Sequence, residues 1–225
     1  MRPMDAVRVA LLREVLAGTE WLDATRRFAG VLRGSVVSHG GGLLLVGTPA
    51  YEPWHLAAHL VDEAAWSGTP ELSPTLVRHA ARASDPAHLA VGLGRLEAAR
   101  RGETLLVVAP DATGAELLER VRDARRAGAT VLALAGPRGP RADGADGGDG
   151  LTGPEGHEDL AAMAHELLAP AAGTEESGVD LDTVQHLVSA AAGENSAAAP
   201  RGRRRFRDRL SRLADQLTAP PPPRW

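Results

Sequence analysis

Apolar positions recur at helical spacing through Val7, Leu11, Leu12, Val15 and Leu16, and again, after Gly18 and Thr19, through Trp21, Leu22, Phe28, Val31 and Leu32. Two helices therefore open the chain. Beyond Gly40, Gly41 and Gly42 the pattern changes to a continuous run, LLLVG at 43–47, whose length and glycine flanks predict a strand buried on both faces. A helix follows over 53–66, then a short extended stretch at 70–73 and helical material within 74–100. TLLVVA (104–109) reads as a second buried strand. Residues 115–127 form a helix closed at Gly128, where a helix end favours a residue free to adopt positive φ. TVLALA (130–135) is a third strand. Strand, helix, strand with short connectors is a βαβ unit, and several predict an α/β fold: a Rossmann-like three-layer α/β/α sandwich with a mostly parallel sheet.

Residues 137–157 are rich in Gly, Pro and Asp without an apolar period, which predicts a mobile surface loop. Residues 160–169 then read as a helix running into a short strand, and 181–192 as a helix with Leu181, Val184, Leu187 and Val188 on one face. The organisation is an α/β domain over 1–192, a linker of small residues at 193–200, an Arg-rich amphipathic helix at 201–218 and a Pro-rich tail at 219–225. The basic helix has a single apolar stripe, Phe206, Leu210, Leu213 and Leu217, spaced by four, three and four.

Composition narrows the chemistry. The chain has 225 residues, 44% hydrophobic and 24% charged, which excludes a predominantly disordered protein. Without cysteine there are no disulfides, thiolate metal sites or Cys nucleophiles, and nothing argues for secretion, so a cytoplasmic location is expected. Without lysine there is no Schiff-base chemistry and no P-loop lysine, and no motif calls for a cofactor. Aromatics at 3% leave too few rings for a nucleic-acid surface built on stacking, and the apolar runs fall far short of the ~20 residues that cross a bilayer. The net charge of −4 is unevenly divided: residues 201–225 hold eight Arg against Asp208 and Asp215, a balance of +6, which leaves −10 for the rest.

The segments GGLLLVGTPAYEPWHLAAHL and GETLLVVAPDATGAELLERVRDARRAGATVLALAG resemble the sugar isomerase (SIS) domain family over residues 40–136. The resemblance implies a three-layer α/β/α fold, a sugar or sugar-phosphate ligand and a homodimer. It also implies ligand contacts from the loops after the first and second long strands, where loop backbones and helix N-termini offer N–H groups to anions. Carried over by position, Gly47 takes the first glycine of the turn, Pro49 the second and Tyr51 the place of its Ser, with Thr48 between. In the second loop Ala109, Asp111, Ala112 and Gly114 stand where Ser, Ser, Gly and Thr are usual, and Thr113 is one residue away. Pro49 has no N–H, and Asp111 puts a carboxylate where a phosphate would bind. Two anions ~4 Å apart repel by about 4 kcal/mol at an effective dielectric near 20. That outweighs the ~0.5–1.5 kcal/mol net of a typical hydrogen bond. The resemblance therefore implies a phosphosugar site that is degenerate in this chain.

His55 and His59 are four apart with Asp62 and Glu63 a further turn on, so a helix could present them to one metal ion, although partly exposed helix histidines are the blander reading. His165 and Glu166, like His157 and Glu158, could act as an acid/base pair, with charged surface positions as the alternative. Gln185 and His186 on the late helix carry no spacing signal. The reading favoured by these features is a noncatalytic or regulatory protein that binds a carbohydrate derivative through Gly47, Thr48, Tyr51, Asp111, Thr113 and Gly114. The alternatives are a phosphosugar isomerase interconverting aldose and ketose with His165 and Glu166, and a scaffold whose basic helix, from Arg201 through Arg212, recruits an acidic protein partner.

Overall fold

A computed structural model describes residues 20–111, 113–136, 155–169 and 180–194. The first expected helix, residues 137–154, the linker from 195 and the basic helix with its tail lie outside them. Five strands form one parallel sheet in the order β2-β1-β3-β4-β5. They are β1 (Leu43–Val46), β2 (Pro74–Val77), β3 (Thr104–Ala109), β4 (Thr130–Ala135) and β5 (Glu166–Leu168). The helices are α1 (Glu20–His39), α2 (Trp54–Ser67), a single turn α3 (Gly94–Glu97), α4 (Ala115–Arg126), α5 (Glu155–Met163) and α6 (Leu181–Gly193). The three-layer α/β/α sandwich expected from the apolar pattern is the fold observed.

Strand alternation divides the core in two. Leu43, Leu45, Leu106, Val108, Leu132 and Leu134 point to one face, under Phe28 and Leu32 of α1, Leu56 and Leu60 of α2, and Val184 and Val188 of α6. Leu44, Val46, Leu105, Val107, Val131 and Ala133 point to the other, under Leu96, Leu117, Val121 and Leu160 of α3, α4 and α5. Every residue of β1 and β3 is buried, because both faces of a parallel sheet are covered by its crossover helices. α6 packs against both α1 and α2, and its residues from Thr183 to Ala190 are all buried. A helix buried all round must bring partners for its own polar groups, and α6 does so from its first turn, where the Asp180 carboxylate accepts from the Thr183 N–H at 2.6 Å.

Three local expectations are corrected. The stretch at 70–73 is a turn of 3-10 helix (Pro70–Leu72) rather than an extended one, and the segment from Pro74 opens with β2 rather than helix. Pro74 starts the strand on the sheet's outer edge, where its missing N–H costs no ladder bond. Helix within 74–100 is confined to α3. α5 begins at Glu155, inside the stretch read as loop.

The order β2-β1-β3-β4-β5 reverses between β1 and β3. α2 leaves β1 toward one face and α4 leaves β3 toward the other, so the carboxyl ends of these strands form the topological switch point, the place where open α/β sheets bind ligands.

Candidate functional site

The loop after β1 is tight. A Cβ on Gly47 would run into the Tyr51 carbonyl oxygen, so glycine is required there by backbone approach alone. The turn closes through Tyr51 N–H to Thr48 O at 3.0 Å, and the ring N–H at Nε2 of His79, just past β2, donates to Gly47 O at 2.9 Å. Thr48 is 1% exposed and its hydroxyl has no hydrogen-bond partner among the described residues. Such a group costs about 1–3 kcal/mol until something reaches it.

Tyr51 turns toward α6. Gln185 Nε2 donates to its hydroxyl oxygen at 2.9 Å, and the hydroxyl lies 3.4 Å from Asp182 Oδ1. Burial is the main cause that raises the Tyr51 phenol above its ordinary value; the Asp182 charge adds to the rise, and the Gln185 hydrogen bond opposes it.

One residue past the start of α2 the chain places His55, and one turn further His59. His186 of α6 meets them: His55 Nε2 stands 2.9 Å from His186 Nε2 and 2.9 Å from His59 Nε2. The three rings sit with centroids 4.4–4.6 Å apart. His186 is 2% exposed, while His55 faces solvent. One ligand nitrogen from each ring lies within 4.8 Å of the other two. A tetrahedral ion bound at about 2.0–2.1 Å holds its nitrogens about 3.3–3.4 Å apart, so the two 2.9 Å contacts, which are hydrogen-bond separations, would widen by about 0.4–0.5 Å to admit one ion. Neutral imidazoles carry one ring proton each; with all three protons on Nδ1, three Nε2 lone pairs converge. The exposed side at His55 leaves room for a fourth, exogenous ligand, the feature that separates open metal sites from closed structural ones. Asp62 is exposed and Glu63 buried with its carboxylate against Gly193, and neither joins the group among the described residues.

Among the described residues the charged groups around the loops do not form a phosphate cradle. Arg78, at the end of β2, is engaged by Glu52 at 3.1 Å and Asp85 at 3.0 Å, and its guanidinium stacks on Trp54 with 4.9 Å to the ring centroid. In the second loop Asp111 is exposed and its carbonyl accepts from His157 Nε2 at 2.7 Å; Thr113 is buried and Gly114 caps α4 in extended conformation. His165 and Glu166 lie elsewhere. His165 N–H donates to Val131 O at 2.7 Å at the amino end of the sheet, and Glu166 pairs with Arg27 of α1 at 3.7 Å. The structure thus brings Tyr51, His55 and His59 together with Asp182, Gln185 and His186, and leaves His165 and Glu166 at the opposite end. His186 is the residue the sequence reading missed, since its partner His55 is 131 positions away.

No protein-family model and no curated protein matches the chain. Solved structures resemble it at low identity, with TM-scores below 0.5. A protein named for sugar binding from Salmonella typhimurium LT2 is 12% identical with a TM-score of 0.47, over 93% of this chain and 53% of its own. A phosphoheptose isomerase from Neisseria gonorrhoeae is 16% identical with a TM-score of 0.42, over 84% and 91%. The sugar isomerase domain of an RpiR transcription factor from Sphaerobacter thermophilus is 15% identical with a TM-score of 0.43, over 95% and 94%. The chain spans about half the length of the Salmonella protein.

Proposed function

We propose that the chain binds a sugar derivative at the carboxyl end of β1 without turning it over, and that a divalent transition metal held by His55, His59 and His186 is part of the site. The observation that carries this reading is the convergence of three imidazole Nε2 atoms from two helices beside the Gly47 to Tyr51 loop. Imidazole donors suit zinc, copper, iron or nickel. When bound, such an ion polarises an oxygen of a hydroxyl or carbonyl ligand. The chain's own residues supply the rest. Thr48 offers an unpaired hydroxyl at the loop, and the Tyr51 phenol, held by Gln185, walls the site toward α6.

The sugar class follows from the resemblance of residues 40–136 to sugar isomerase domains. A phosphate is disfavoured by the Asp111 carboxylate and by Arg78 being taken up by Glu52 and Asp85. The noncatalytic reading stands ahead of the isomerase one because the proposed acid/base pair, His165 and Glu166, is at the far end of the sheet. A cytoplasmic homodimer is the assembly proposed with it.

Calorimetry of the purified, tag-free full chain tests each part. One equivalent of zinc per chain and zinc-dependent binding of a neutral or amino sugar are the expected results. No zinc uptake would remove the metal from the proposal, micromolar binding of a sugar phosphate would restore the phosphosugar site, and aldose–ketose interconversion would make the protein an enzyme.

A further inference from the structure

Helix α2 has two apolar faces: the described residues bury one and, apart from the Arg78 guanidinium against Trp54, leave the other exposed. Leu56, Leu60 and Ala64 are buried against the sheet and α6, whereas Trp54, Ala58, Val61 and Ala65, spaced by four, three and four, line the exposed side. Trp54 is 41% exposed and Val61 47%, and Trp66 beside them is 48% exposed. An uncharged stripe led by Trp54, with Trp66 exposed further round the helix beyond Asp62, is the kind of surface a soluble domain covers.

We propose that the occupant is the chain's own segment 201–218, laid along α2. Its apolar stripe, Phe206, Leu210, Leu213 and Leu217, repeats the same four, three, four spacing, which lets the ridges of one helix seat in the grooves of the other. The path is short. α6 runs in the same direction as α2, with His186 at His55 and His59 and Gly193 against Glu63, so the described chain leaves α6 at Glu194 beside the last turns of α2. Residues 195–200 span up to ~20 Å, enough to round a helix ~10–12 Å across. Eighteen helical residues cover about 27 Å against about 21 Å for α2. Charge agrees as well: α2 has no arginine and carries Asp62 next to Val61, while the segment brings eight arginines with its tail. The other amphipathic segment, residues 7–16, enters α1 directly through Gly18 and Thr19, and α6 separates α1 from α2. Run antiparallel to α2, the segment brings Leu217 toward Trp54 and so next to the exposed His55.

Hydrogen exchange on the full chain, read by mass spectrometry, tests this independently of any metal or sugar. Amides of 206–217 exchange at least about tenfold more slowly than an unstructured peptide. That protection is lost in Val61→Glu and in Leu210→Glu, while β3 and β4 exchange as in the parent chain, which shows that the fold is intact. Deleting 201–225 raises binding of an apolar dye. Unprotected amides in the parent chain, protection that survives Val61→Glu, or dye binding unchanged by the deletion would each overturn the proposal. A dimer that Val61→Glu dissociates while 206–217 stay protected would overturn it in favour of a second copy.

Discussion

A histidine four residues from another on a helix is common, and the pair His55 and His59 gains meaning only from His186, which arrives buried from α6 at 2.9 Å. Replacing His186 by Ala removes a lone pair that no neighbour replaces, so zinc affinity falls at least about 100-fold, given that outer-shell losses alone cost 10–100-fold. Competition with a chromophoric chelator measures this, and an unchanged affinity would show that the ion sits elsewhere. Tyr51 offers a second residue-level test, because it is the chain's only tyrosine and its ultraviolet titration has one source. Burial, with Asp182 assisting, raises the folded phenol above its unfolded value. The unfolded chain therefore loses this proton first as pH rises. Stability from this group is fully present below the unfolded value, near 10, and is lost as pH climbs from there through the folded value. Tyrosinate absorbance in the native protein should appear above pH ~10. Tyr51→Phe should remove that group's part of the alkaline loss, and Gln185→Leu should move the titration higher still, since Gln185 favours the phenolate. A native titration at the free-tyrosine value would contradict the packing of Tyr51 against α6.

At the scale of elements, α6 fixes the site because it alone carries His186, Gln185 and Asp182 to the β1 loop. Its first turn depends on Asp180, whose carboxylate caps the Thr183 N–H. Asp180→Ala should cost about 1 kcal/mol of stability, the usual worth of an N-cap. It should also loosen zinc while leaving the three histidines in place; denaturant unfolding and the same chelator titration read the two effects. If stability fell and zinc affinity did not, the start of α6 would be uncoupled from the metal group. The sequence made β1, β3 and β4 legible because each is a run of apolar residues entered or left by glycine, and α4 legible through Leu117, Leu118, Val121 and Ala124 with Gly128 at φ +95°. β2 was not legible. Four residues opened by a proline and followed by Arg78 and His79 carry neither a long apolar run nor an alternation, and the strand exists because β1 offers an unpaired edge. The β1 loop was legible as a turn from Gly47, yet its link to α6 was not, because the link depends on where α6 docks rather than on any local spacing.

For the molecule as a whole, the metal group joins two elements that the unfolded chain holds 131 residues apart. An ion bound by all three histidines is therefore bound by the native state, and its binding free energy adds to folding. At a free zinc concentration 100 times the dissociation constant the gain is about 2.7 kcal/mol. At about 2–4 °C per kcal/mol for a chain of this size, the melting temperature should rise by roughly 5–10 °C and return to the starting value with chelator. The rise should shrink on acidification, because a ligating imidazole must be neutral. His186→Ala should abolish it, whereas His88→Ala, an exposed histidine on the loop after β2, should leave it intact. A rise that persists without His186 would mean that the i, i+4 pair on α2 binds by itself, and the ion would then report on one helix rather than on the docking of two. A rise lost with His186 and kept with His88 ties the ion to the contact between α2 and α6, the helix that also holds Tyr51 through Gln185 beside the loop after β1.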